Sequence, residues 1–295
     1  MRDGLAREFP EAGRAVAWTR ARIGPRTEPV LWAALAGIGA GFLVSDFAQV
    51  LVGLASQALQ SPRNPVSFNL FPLVPIAGSG AAAAVALVAG GGIALALVLV
   101  YTVLGIALRI PGLMMFCERS GAGQNNLISD QCTAIGFLAS LWPQLIGIGL
   151  GIALARVITS RGSGINSLLR IAGSLAIALT ILSQLWAATI AQSANALASG
   201  LTIAAGMAAA AVAAGVVAAQ LPRGVRNAAI VGAIWLLPWL TLQLPLGLQS
   251  LGPTVPDEFE TSIIITIVAP PIAAAFLVLS ALVASRARFV PHEPA

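Results

Sequence analysis

Lysine is absent from all 295 residues, and the only histidine, His292, stands close to the C-terminus. Without lysine there is no retinal Schiff base and no phosphate-gripping P-loop. Without a second histidine there is no H-E-x-x-H protease helix, and a buried haem lacks its usual axial pair. A zinc site needs His, Cys or carboxylates clustered at ligand spacing, and no apolar run supplies such a cluster. No metal and no cofactor is therefore expected.

Charge is the next scarcity. Only 9% of residues are charged and 58% are hydrophobic, with a mean hydropathy of +0.90, whereas about a quarter of a soluble domain is charged. The charges gather before Val30, around Arg109–Asp130, at Arg156–Arg170, at Arg223–Arg226, at Asp257–Glu260 and after Ser285. Between these clusters lie apolar runs of the length that crosses about 30 Å of hydrocarbon. The alternation of a transmembrane β-barrel is missing. The fold class is all-α, a polytopic membrane helix bundle. The basic balance, all arginine and flanking apolar runs, reads as an orientation signal rather than a nucleic-acid footprint. Abundant Ala and Gly without lysine fit a GC-rich bacterial genome, and the expected location is the bacterial cytoplasmic (inner) membrane.

The clear spans are 30–57, 92–110, 132–156, 171–191, 197–220, 228–249 and 262–284. With six arginines before Val30 holding the N-terminus inside, seven crossings put the basic loops outside and the acidic "PDEFE" loop inside. One added span removes the conflict. Asn69–Gly90 is apolar throughout, and Gly90-Gly91-Gly92 supplies a tight turn, because glycine reaches backbone angles closed to other residues. Residues 69–89 then run one way and 92–110 return. Pro72 and Pro75 near its start are tolerable only in the first turn; a buried re-entrant segment is the alternative. The expected architecture is eight transmembrane helices with both termini cytoplasmic. Residues 1–29 form a cytoplasmic segment, either an interfacial amphipathic helix or a solvated tail. Residues 30–285 form the bundle, and 286–295 a short tail.

Asp46 is the one acid deep in a span, where a carboxylate costs at least about 2.5–3.5 kcal/mol on insertion scales and so faces the bundle interior or water. Gly39, Asp46, Gln49 and Gly53 form one stripe. Its functional reading is a proton or cation site; its plain reading is a structural aspartate. The fourth span carries a second stripe, Gly136, Ser140, Pro143, Gln144, Gly147 and Gly151, with Pro143 freeing a carbonyl one turn earlier. Gln184 and Gln243 add amides, and Pro270-Pro271 is expected to break or kink the last helix. The Ala/Gly-rich sixth span suits a closely surrounded position. Cys117 and Cys132, the only cysteines, bracket one polar outer loop as a candidate disulfide. "RGSGIN" and "ALVAGGGIALA" read as turns, since neither has the partners that catalysis or phosphate binding needs.

The leading function is a small-substrate permease or the membrane component of a transport system, with Asp46, Gln49, Gln144, Gln184, Gln243, Pro270 and Pro271 as path candidates. A non-catalytic anchor or scaffold of a larger complex is the alternative. An intramembrane lipid-modifying enzyme, drawing Arg109, Glu118, Arg119 and Asp130 together, is the third reading. The expected partner is the lipid bilayer, with protein partners or a homo-oligomer left open and no nucleic acid.

Overall fold

A computed structural model of the chain describes residues 27–59, 70–107, 141–158, 167–190, 196–250 and 257–286. These form α1 (Thr27–Leu59), α2 (Leu73–Ala107), α3 (Trp142–Val157), α4 (Ser167–Ile190), α5 (Ala196–Ala219) and α6 (Gly224–Pro238). A π-helical turn (Trp239–Gln243), α7 (Leu244–Ser250) and α8 (Asp257–Arg286) follow. No strand occurs among the described residues. The N-terminal segment, the loop holding Cys117 and Cys132, Arg161 and the C-terminal tail lie outside them, so the interfacial helix and the disulfide do too.

Five helical stretches are long and apolar enough to cross a membrane: Thr27–Ala58, Leu73–Gly105, Ala198–Ala219, Gly224–Leu248 and Ile263–Arg286. Trp142–Val157 and Ser167–Ser183 are shorter apolar helices. The chain is thus a multi-pass helical protein suited to a bilayer.

The stretch from Leu73 is not one rod. Gly91 takes φ 67° and ψ −159° in the middle of α2, a region that is essentially closed to residues with a side chain. Pro75 and Gly105 nevertheless line one cavity, whereas a straight helix would hold residues thirty apart at about 45 Å. The chain therefore turns back at Gly91, giving a first limb (73–90) and a second (92–107). Leu73 opens the helix, so Pro72 precedes it and Pro75 sits in its first turn, where the missing N–H has no helical partner to lose.

Close approaches fix how the other segments run. Gly41 meets Gly78, Gly37 meets Ala82 and Ala86, and Ala33 meets Gly90, so α1 and the first limb are antiparallel. A Cβ on Gly37 would lie 2.8 Å from the Ala82 carbonyl oxygen; only small residues allow this. Where lipid tails are as apolar as leucine, such backbone proximity is what holds helices together. Ile76 and Ser79 meet Gly147, and Gly80 and Ala83 meet Gly151, so α3 runs parallel to the first limb. Trp32 stacks under Arg170, with 4.8 Å from the guanidinium carbon to the ring centre, and Leu35 meets Gly173, which sets α4 parallel to α1. On the far side Gly200 meets Ile265 and Gly215 meets Leu277 and Ala281, pairing α5 and α8 in parallel. Gly224 packs on Ala218, which folds α6 back along α5.

Consecutive segments therefore alternate in direction, and the charges sort with them. Arg156, Arg170, Arg223, Arg226 and Arg286, all the arginines among the described residues, fall at one end of the bundle, as does the Gly91 turn. Asp257, Glu258 and Glu260 open α8 at the other end.

Two buried clusters fill the interior. One joins α1, both limbs and α4 through Ala33, Ala34, Ala82, Ala86, Ala94 and Val98. The other joins α4, α5, α6 and α8 around Ile171, Leu175, Ala214, Val231 and Leu277. The Ala/Gly-rich helix α5 is enclosed on one face only: Ala210, Ala211, Ala214 and Ala218 are fully buried, while Leu201, Val212 and Val216 are exposed.

Two proline expectations change. Pro143 stands at the start of α3, a favoured position, rather than inside a described helix. The expected break at Pro270-Pro271 does not occur, because α8 continues from Asp257 to Arg286 through both prolines.

Gly91→Ala should lower stability by about 1–3 kcal/mol, since alanine is strained at that φ and ψ. The methyl group added by Gly92→Ala would meet nothing within 4 Å, and the backbone there has no positive φ. That change should be neutral or mildly stabilising. Thermal unfolding in detergent checks the pair; equal effects would contradict a turn centred on Gly91.

Candidate functional site

Where α1, both limbs of α2, α3 and α4 converge, they leave a cavity of about 470 Å³, within the range of small-molecule sites. It lies in the half of the bundle away from the arginines, beside the starts of the first limb and α3. The reason is local. Toward the arginine end the facing residues are Ala33, Ala34, Ala86 and Ala94, which pack to nearly zero exposure. Toward the other end the cavity is lined by the larger Phe42, Tyr101, Thr102 and Leu179, while α1 and the first limb stay in contact through Gly41 and Gly78.

The polar wall is made of Ser45, Ser79, Tyr101, Thr102, Thr180 and Ser183, with Gln144. The apolar wall includes Ile38, Phe42, Val98 and Leu179. Among the described residues no charged side chain lines the space. Ser79 Oγ has one hydrogen and two carbonyls in reach, that of Pro75 in its own helix at 2.6 Å and that of Gln144 on α3 at 3.1 Å, the shorter contact being to Pro75. Tyr101 Oη lies 2.8 Å from Thr180 Oγ1, which ties the second limb to α4. Thr102 donates to Val98, Thr180 to Ala176 and Ser183 to the Thr180 carbonyl, each within its own helix.

The residues singled out from the sequence divide around this space. Gln144 lines it. Asp46 does not: it follows Ser45 on α1 but points elsewhere, keeps only 9% of its surface, and its Oδ2 is buried without a hydrogen-bond partner among the described residues. Gln49 is half-buried and Gln243 exposed, and neither lines the cavity. Gln184 is on α4, with its side chain outside the described set. Pro270 is buried and Pro271 half-buried in α8, also away from the cavity. Among the described residues no group of His, Cys, Asp and Glu is placed to hold a metal.

The prolines of α8 do have a consequence, though not an opened helix. Pro271 has no N–H, so the carbonyl of Ile267 loses its helical partner four residues on. The indole Nε1 of Trp239 donates to that carbonyl at 2.7 Å. Trp239 opens the π-helical turn that follows Pro238, so two irregular helices satisfy one another. Outside water, an unmet carbonyl would cost several kcal/mol.

Sequence reasoning missed Tyr101, Thr180, Thr102 and the serines of the cavity. One signal was available: Tyr101 is the only tyrosine in the chain, set within an apolar run, where its hydroxyl needs a partner. No protein-family model, no curated protein and no solved structure matches the chain.

Trp239→Phe should destabilise by about 1 kcal/mol by stranding the Ile267 carbonyl. In a Pro271→Ala background the helix regains its own donor, and the same change should cost clearly less. A double-mutant cycle on unfolding free energy reads this coupling; additive effects would contradict the capping role.

Proposed function

We propose that the chain crosses the membrane eight times with both termini cytoplasmic, and that it serves as a small-substrate permease or the membrane component of a transport system. The bacterial inner membrane is the proposed location. The observation that carries this reading is the cavity: an uncharged, hydroxyl-bearing space in one half of the bundle, closed toward the other half by packed alanines. A space confined to one half of the bundle and sealed from the other half fits one end state of alternating access. Arginines at one end and Asp257, Glu258 and Glu260 at the other support the proposed sidedness, which puts the cavity on the outer side.

Asp46 is proposed as the coupling group for a proton or cation. It is buried, unpartnered at Oδ2 among the described residues and next to Ser45 of the cavity wall. A carboxylate at membrane depth persists where it has a task or a partner.

The test uses a background with Cys117→Ser and Cys132→Ser. Cysteines placed at Ser45 and Thr102 should react with a membrane-impermeant maleimide added outside intact cells, and a cysteine at Ala86 should not. Labelling from the cytoplasmic face alone, or none at Ser45 and Thr102, would contradict an outward cavity. In the same protein Asp46→Asn should preserve the folded elution profile and abolish gradient-driven accumulation in proteoliposomes; undiminished accumulation removes Asp46 from coupling.

A further inference from the structure

The cavity's hydroxyl groups have mostly spent their protons. A serine, threonine or tyrosine hydroxyl has one hydrogen to donate and two lone pairs to accept with. Ser79 gives its hydrogen to Pro75 at 2.6 Å, and Thr102 gives its own to Val98 at 2.9 Å. Ser183 gives its hydrogen to the Thr180 carbonyl at 2.8 Å. Thr180 and Tyr101 hold two hydrogens between them. The acceptors are the Ala176 carbonyl, 2.8 Å from Thr180 and 3.5 Å from Tyr101, and each other's oxygen at 2.8 Å. Either assignment uses both hydrogens inside the wall. What these five side chains turn to the cavity is therefore lone pairs. Ser45 and Gln144 are the exceptions, a lining hydroxyl and a lining amide that also carry hydrogens.

A wall of lone pairs without a cation selects its ligand by hydrogen count. At these five side chains a molecule that only accepts meets oxygen against oxygen and loses the water it gave up, whereas an O–H or N–H finds an acceptor. Full charge is disfavoured in either sign. Among the described residues the lining holds no arginine for an anion and no carboxylate to neutralise a cation removed from water. Opposite the lone pairs, Ile38, Phe42, Val98 and Leu179 offer only carbon.

We infer that the cavity takes an uncharged amphiphilic molecule, with O–H or N–H donors directed at Thr102, Tyr101, Thr180 and Ser79 and a hydrocarbon face directed at Ile38, Phe42 and Leu179. Short-chain polyols and primary amides belong to this class. The assignment rests on the proposed cavity as the substrate site and adds the chemical identity of what enters it.

Matched probes test it on the purified full chain in nanodiscs, by ligand-detected saturation-transfer NMR. The probes are 1,2-hexanediol against its dimethyl ether, hexanamide against N,N-dimethylhexanamide, and hexylammonium. The diol and the primary amide should bind about tenfold more tightly than their methylated partners, the scale of one hydrogen bond lost at a dry site. Hexylammonium should be the weakest. Thr102→Val keeps the side-chain shape and removes an acceptor, so it should shrink the diol-to-ether ratio several-fold without weakening the ether.

Equal binding of methylated and unmethylated probes would overturn the donor assignment while leaving a cavity that binds small molecules. Tightest binding by hexylammonium would overturn it in favour of a cation site. Absence of all binding, with Ser45 and Thr102 cysteines still labelled from outside, would also overturn it. Absence of binding together with absence of labelling would instead remove the cavity as a substrate site.

Discussion

An uncharged helix of thirty-five residues would be about 52 Å long, far more than the roughly 30 Å of hydrocarbon it would have to fit. The chain resolves this at Gly91 by turning back, and the rest of the structure depends on that reversal. It sets the second limb beside the first, so Tyr101 and Thr102 come opposite Ser79 instead of projecting away from the bundle. It also reverses the sense of every later segment relative to α1. Without it, α4 would not run parallel to α1, and Arg170 would not reach Trp32. The arginines gather at one end because of a single backbone conformation that only glycine adopts readily.

The bundle then has two kinds of interior. Near the arginine end, Gly37, Gly90, Ala33 and Ala86 let backbones approach to contact, and no space is left. Further along, α1, the first limb and α3 still touch through Gly41, Gly78 and Gly147, and the cavity lies between them and the second limb and α4. The same economy governs backbone polarity. Pro271 removes one donor and Trp239 returns one from a different helix, so the Ile267 carbonyl keeps a partner. Asp46 is the one described carboxylate that this economy leaves with a buried oxygen unmatched, which is why a coupling role is assigned to it rather than to the amides.

Much of the helical layout was legible from the sequence. Long apolar runs mark helices wherever water is absent, and Gly90-Gly91-Gly92 marked the turn because no other residue tolerates the angles it needs. Asp46 could be read as buried because a lone carboxylate in an apolar helix has few other options. The cavity was not legible in the same way. Ser79, Thr102 and Thr180 are ordinary in sequence, and they become a wall only when three separate segments bring them to one level. Gln243 and Gln49 looked equally promising, yet Gln49 lies beyond the lining residues of α1 and Gln243 stands on a segment that does not border the cavity. Pro270-Pro271 was expected to break or kink the last helix, and it does not break it: proline's local effect is visible in sequence, but the Trp239 indole that meets the Ile267 carbonyl comes from another helix.

The reversal at Gly91 can be measured directly by spin labels at Leu73 and Leu104, both exposed positions on the two limbs, read by double electron–electron resonance in nanodiscs. Two helices folded back against each other pack about 8–10 Å apart, so the labels should give a distribution centred below about 30 Å. A distribution near 46 Å, the span of thirty-one residues in one straight helix, would contradict the reversal, and with it the alternation of the segments and the cavity between them.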